Sequence, residues 1–249
     1  MTDPTPVVTR LTAQGRRLLV SPAWFVPFDD FRRRRSVPGL SVAVDRWDGA
    51  RWQSAEVRAT VTPGGVIAFP GLGRRREPAL AEPELFRARF AAAGYRPLYS
   101  VDDEPFDAAK TGREFVAHPY DDEHPPEVGA EPDVVTFLPD RTFIHTPNTR
   151  IVHGLVRRAG AGTPVGNALV EATGQSADGL GAWRERALCD AGGEFRLALR
   201  WSGRSAGSDE PPGTEVFTLT ATERQGHTGQ LGIRLPADLG LTHVIEISQ

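Results

Sequence analysis

The chain has 249 residues, enough for one large domain or two of ordinary size, each able to bury a core. Its formal net charge of −3 leaves no global field to draw nucleic acid or an anionic membrane, and its one cysteine, Cys189, excludes an internal disulfide and with it a stapled secreted scaffold. A 39% apolar share with 26 Gly and 21 Pro favours many short strands joined by turns over long helices.

In chain order, Met1 to Gln14 lacks an apolar leader, and no stretch approaches the roughly 18 apolar residues of a membrane helix, so the expectation is a cytoplasmic protein. Short β-prone stretches lie at Val7-Val8-Thr9 and Leu18-Leu19-Val20. The run from Ser21 to Phe28 is apolar but broken by Pro22 and Pro27; because proline cannot donate to a ladder, this piece is expected on a sheet edge or wrapped over a surface. Asp29 to Arg35 reads as an exposed turn carrying Arg32, Arg33, Arg34 and Arg35.

Strand patterning is clear from Leu40 to Asp45, followed by a hairpin turn at Asp48-Gly49 between Trp47 and Trp52. Val57 to Val61, Val66 to Phe69 and Leu85 to Phe90 give further strands, and together these define an N-terminal β-sandwich-like domain over 1–101. Between Asp102 and Asp133 the chain carries eleven Asp and Glu against Lys110 and Arg113, with five prolines. Too few apolar residues are present there to offset the entropy of ordering them, so 102–149 is expected to be an acidic, Pro-rich linker or surface-hugging arm. Within it, Val134 to Pro139 supplies one apolar strand.

From Ile151 the strands return: Ile151 to Val156, Ala168 to Ala172, Arg186 to Cys189, Phe195 to Leu199, Val216 to Ala221 and His243 to Ile247. The fold class is therefore all-β, with two antiparallel β-sandwich domains in tandem, the second over 150–249.

Three pieces in order resemble the carboxypeptidase regulatory-like (transthyretin-like) β-sandwich. They are Ile151-Val152-His153-Gly154-Leu155-Val156, then Thr163 to Val170, then Cys189-Asp190-Ala191-Gly192-Gly193-Glu194-Phe195. Gly154 spares a side chain where strands pack, Pro164 opens the connection to the next strand, and Asp190 with two glycines makes a hairpin. The first domain carries fainter matches at Val37 to Val42, Val66 to Leu72 and Leu85 to Pro97, readable as a diverged repeat or as an unrelated β-domain. Segments Gly174 to Arg184 and Gly203 to Pro212 exceed the core pattern and read either as plain loops or as interaction loops, with Trp183 and Trp201 as aromatic anchors for a protein partner.

Enzymatic readings find no residue set. Intradiol dioxygenases share the sandwich and hold iron with two tyrosines and two histidines, but Tyr95, Tyr99 and Tyr120 all precede the matching region, and no His-x-His pair follows it. His118, Asp121, Asp122, Glu123 and His124 could in principle hold a metal, yet a solvated acidic loop is the reading preferred. No Gly-x-Ser-x-Gly elbow or phosphate loop exists, and Asp190 would raise the Cys189 pKa. The expectation is a non-enzyme with no catalytic residues, cofactor or metal.

Its expected partners are other protein subunits, reached through Trp183, Trp201 and Arg32 to Arg35, with no nucleic acid and no membrane. The family resemblance implies an accessory structural subunit of a bacterial phage-tail-like contractile injection system. The competing class is a carbohydrate-binding module stacking sugars on Trp47, Trp52, Trp183 and Trp201.

Overall fold

The computed structural model describes residues 9–11, 17–98, 112–124, 131–175, 181–205, 211–223 and 226–248. Among them the architecture is all-β, with one turn of 3-10 helix at Pro78–Leu80. By internal contacts these residues form two compact units: 9–29, 33–92 and 112–136 in the first, and 30–32, 93–98 and 137–248 in the second.

In the first unit, β1 (Thr9–Leu11) and β2 (Arg17–Leu19) pair antiparallel. The remaining strands are β3 (Trp24–Asp29), β4 (Ser41–Trp47), β5 (Trp52–Ala55), β6 (Thr60–Val61), β7 (Ile67–Ala68), β8 (Glu84–Ala91) and β10 (Arg113–Ala117). One sheet runs β10-β8-β4-β5. A second contains β6, β7 and β3 in that order. β11 (Asp133–Pro139) starts in this unit, and its residues from Phe137 belong to the second. The two sheets meet through phenylalanines. Phe25 of β3 lies edge-on to Phe90 of β8 at 5.2 Å, and Phe115 of β10 stacks on Phe69 at 5.1 Å.

Pro27 was expected to push its segment to an edge, but β3 is an interior strand. The physical reason is that β7 pairs only with Trp24 and Phe25, so Pro27 lies beyond the end of that ladder and leaves no broken hydrogen bond in it.

The acidic stretch also departs from a plain linker. Arg113–Ala117 pairs along its whole length with β8, because Phe115 places a ring among Phe25, Phe69 and Phe86. Val135 of β11 is fully buried. A few well-spaced apolar side chains thus order residues that the average composition assigns to an arm. Residues 99–111 and 125–130 lie outside the described part.

The second unit opens with β9 (Tyr95–Leu98), which neighbours β11 in its sheet. There follow β12 (Arg150–Arg158), β13 (Leu169–Gln175), β14 (Ala182–Leu188), β15 (Glu194–Leu199), β16 (Arg204–Ser205), β17 (Glu215–Thr222), β18 (Thr228–Leu235) and β19 (Thr242–Ile247). A three-stranded sheet β15-β12-β19 faces one ordered β14-β13-β17, with β16 and β18 also paired to β17. Val152, Val156, Phe195, Leu197, Ile245 and Ile247 of the first meet Val170, Trp183, Phe217, Leu219 and Ile233 of the second in one core.

One pair departs from the antiparallel expectation. β12 and β19 run parallel, since the last strand returns from the opposite sheet beside β12 rather than by a hairpin.

The motif residues act as their chemistry demands. A Cβ on Gly154 would overlap the Phe195 ring and stand 2.7 Å from the His243 carbonyl oxygen. The expected hairpin at Asp190 is instead a tight turn carrying the chain from β14 in one sheet to β15 in the other: Oδ1 of Asp190 accepts from the backbone N–H of Gly192 at 2.9 Å and of Glu194 at 3.0 Å, while Gly193 takes φ +79°.

Candidate functional site

Several buried carboxylates across the two units are bound to arginines. In the first unit, Asp45 (4% exposed) on β4 faces Arg87 (also 4% exposed) and Arg89 on β8. Nη2 of Arg87 donates to Oδ2 of Asp45 at 2.8 Å, and Nε and Nη2 of Arg89 donate at 2.7 and 2.9 Å. Burial raises the carboxyl pKa, but the bonds from Arg89 and Arg87 outweigh it, and Asp45 stays below its ordinary range. The Arg87 guanidinium lies 4.6 Å from the Trp52 ring centroid, and Trp52 meets Trp47 edge-on at 5.3 Å. Trp47 is 37% exposed.

In the second unit, Phe31, Tyr95, Phe143 and His145 form an aromatic cluster, with Phe143 at 5.1 Å from Tyr95 and 4.7 Å from His145. Arg32 donates to the Tyr95 hydroxyl and stacks 5.2 Å from Phe143, while Arg200 stacks 4.1 Å from Phe31. Arg200 also grips Glu185 with two bonds of 2.8 and 2.9 Å. Both ring nitrogens of His145 are sealed without a hydrogen-bond partner. Burial, followed by the charges of Arg196 and Arg200, pushes its pKa down to about 4. Cys189 is fully buried, and burial together with Asp190 lifts its thiol to about 12, the opposite of an activated nucleophile.

The residues expected to contact partners do not gather. Trp183 lies in the core at 8% exposure, with its indole N–H donating to the Gln175 carbonyl at 3.2 Å. A ring so placed cannot anchor a partner, which corrects that expectation. It packs over Gly174, where a Cβ would overlap it. Trp201 is 48% exposed just after β15, its carbonyl accepting from Nη2 of Arg150 at 2.5 Å. Arg32, Arg33, Arg34 and Arg35 are all exposed, with Arg34 bridged to Asp29 through the backbone and Arg32 tethered to the aromatic cluster. Of the acidic group considered for a metal, Asp121 caps a turn: its Oδ1 accepts from the N–H of Glu123 at 2.9 Å and of His124 at 2.7 Å, while Asp122 pairs with Arg74. Among the described residues, no three His, Cys, Asp or Glu converge in a way that could hold a metal ion.

A groove that sequence reasoning missed lies on the outer face of the β15-β12-β19 sheet. It encloses about 560 Å³ and is lined by Arg141, His153, Leu155, Glu194, Arg196 and Thr242, among others. Register brings these together: His153 stands opposite Arg196 on one side and Thr242 on the other. Nη1 of Arg196 donates to the Arg141 carbonyl at 2.7 Å, and Arg141 pairs with Glu194. Strand alternation in Ile151–Val156 could have placed His153 outward, but its neighbours come from strands far away in sequence.

No protein-family model matches the chain, and no curated protein does. Among solved structures, it is similar to a streptococcal ancillary pilin at 14% identity and a TM-score of 0.28, over 91% of this chain and 61% of the pilin. The chain thus spans under two thirds of that protein, and a superposition this loose transfers nothing about the pilin's role.

Proposed function

We propose that the chain is a non-catalytic structural subunit that docks to other protein subunits of a larger cytoplasmic assembly. The observation that carries this reading is the use made of the buried reactive side chains. Asp45, Asp30 and Glu185 are each locked to arginines that hold strands or turns, and Cys189 is kept protonated. Groups so committed stiffen a scaffold rather than exchange protons with a substrate. Exposed Trp201 and the solvent-facing Arg33 to Arg35 are the contact points this reading uses. The finer assignment, an accessory subunit of a phage-tail-like contractile injection particle, rests on the motif resemblance over Ile151 to Phe195 and on fold-level analogy.

A second reading, carbohydrate binding, has one observation in its favour: the Trp47–Trp52 ring pair, with Trp47 exposed and Trp52 half-buried. Separating native lysate by size distinguishes the two. The subunit reading expects this chain in a large particle, visible by imaging. Recovery solely as a free monomer, with glycan binding that disappears in Trp47→Ala, would replace it with the second.

A further inference from the structure

The groove on the outer face of β15-β12-β19 contains a guanidinium that no carboxylate among the described residues answers. Its two acidic neighbours, Glu194 and Asp190, both pair with Arg141. Arg196 donates from Nη1 to the Arg141 carbonyl and makes no ion pair with any described carboxylate, while its Nε is sealed from water and so turned away from the groove. A guanidinium lining a groove without a counter-ion leaves its charge available to an anion. The positive field of Arg196 is felt nearby. After burial itself, it is the leading cause of the lowered pKa of both His145 and His153, so it favours the neutral form of each ring.

We propose that this groove binds a carboxylate, seated against the Arg196 guanidinium between His153 and Thr242. A guanidinium presents its donors in a planar fork that matches a carboxylate, and the Thr242 hydroxyl and a neutral imidazole N–H can each donate to the same anion. With Glu194 paired to Arg141, the lining offers one uncompensated positive charge, which matches a carboxylate monoanion better than a phosphate dianion. The volume admits either a small free carboxylic acid or an aspartate or glutamate side chain of an incoming peptide. The inference stands apart from the assembly reading, because a free carboxylate tests it with no partner present.

The experiment is an NMR titration of the full chain, following the His153 ring and the Thr242 amide. The probes are sodium acetate, acetyl-Gly-Glu-Gly-amide, the Gln counterpart of that peptide, sodium phosphate and sodium chloride. Saturable shifts are expected with acetate and the Glu peptide and not with the Gln peptide, and Arg196→Gln should weaken both by about tenfold or more through loss of a charge-assisted bond. Thr242→Val, at an exposed position, should weaken them several-fold and serves if Arg196→Gln disturbs the sheet. Tighter binding of the Glu peptide identifies the source as a protein side chain, and equal or tighter binding of acetate identifies a free acid. Shifts that grow linearly with every salt, or phosphate binding more tightly than acetate, would overturn the proposal. So would Glu-peptide binding unchanged in both variants.

Discussion

Asp30 and Arg186, 156 positions apart, form a two-pronged ion pair in which Nε donates to Oδ2 at 3.1 Å and Nη2 to Oδ1 at 2.6 Å. The Asp30 side chain is 3% exposed and that of Arg186 11%. Removing one member of such a pair strands the other charge out of water, whereas replacing both with apolar groups removes the problem. Arg186→Met should therefore cost about 3–5 kcal/mol in urea unfolding, and Asp30→Leu combined with Arg186→Met should recover most of it. A single variant within about 0.5 kcal/mol of the parent would mean that water already reaches the pair.

Trp183 behaves as a core residue in a second test. Trp183→Ala empties a buried ring volume and should cost about 3–5 kcal/mol. Gly174→Ala acts from the other side, because the added methyl would overlap the ring, with the indole Nε1 2.8 Å away. It should cost about 1–3 kcal/mol and shift the tryptophan emission to the red, with part of the loss recovered by adding Trp183→Leu. If Trp183→Ala unfolds at the parental urea concentration, the ring is not packed as described.

The same tryptophan shows where sequence reading succeeded and where it stopped. Pro164, Asp190 and Gly193 could be placed because each does a local job in a turn, and Gly154 because the motif resemblance marks it, although what it makes room for, Phe195 and His243, lies far along the chain. Trp183 was assigned to a loop because Glu185 interrupts the apolar alternation of Trp183, Glu185 and Ala187. All three are nevertheless buried on one face, Glu185 because Arg200 supplies its counter-charge from beyond β15. Strand β18 was passed over for a related reason: Gly229 and Gly232 remove the side chains that would show its period. Gly229 is required there by the Glu246 carbonyl against its Cα, a contact no local pattern can announce. The groove is harder still, since His153, Arg196 and Thr242 become neighbours only through register between three strands.

Cys189 offers a chemical check on the core. With its thiol raised to about 12 by burial and by Asp190, almost no thiolate exists at pH 8, and the sulfur is out of reach of reagents. Modification by a disulfide reagent should be negligible in the native chain and fast in urea, at a rate that follows the opening of the second unit. Asp190→Ala should accelerate it by loosening the turn that Oδ1 of Asp190 holds together. Prompt labelling of the native chain would place the sulfur at the surface.

His145 gives the acid limb of stability. Its pKa falls from the ordinary 6.5 to about 4, first through burial and then through Arg196, Arg200 and His153, so the unfolded chain binds a proton there that the folded chain refuses. The sign follows: stability from this group is complete above about pH 6.5 and declines as pH falls toward 4, below which the loss levels off. Solvent screening trims the total to on the order of 1–2 kcal/mol. His145→Phe should keep the ring contacts with Phe31 and Phe143 while abolishing this part of the pH dependence. The measurement is urea unfolding of parent and variant at pH 7.5, 5.5 and 4.5, which lie above and within that window. Parallel pH profiles for the two proteins would show that the ring is already protonated, or already hydrated, in the folded state.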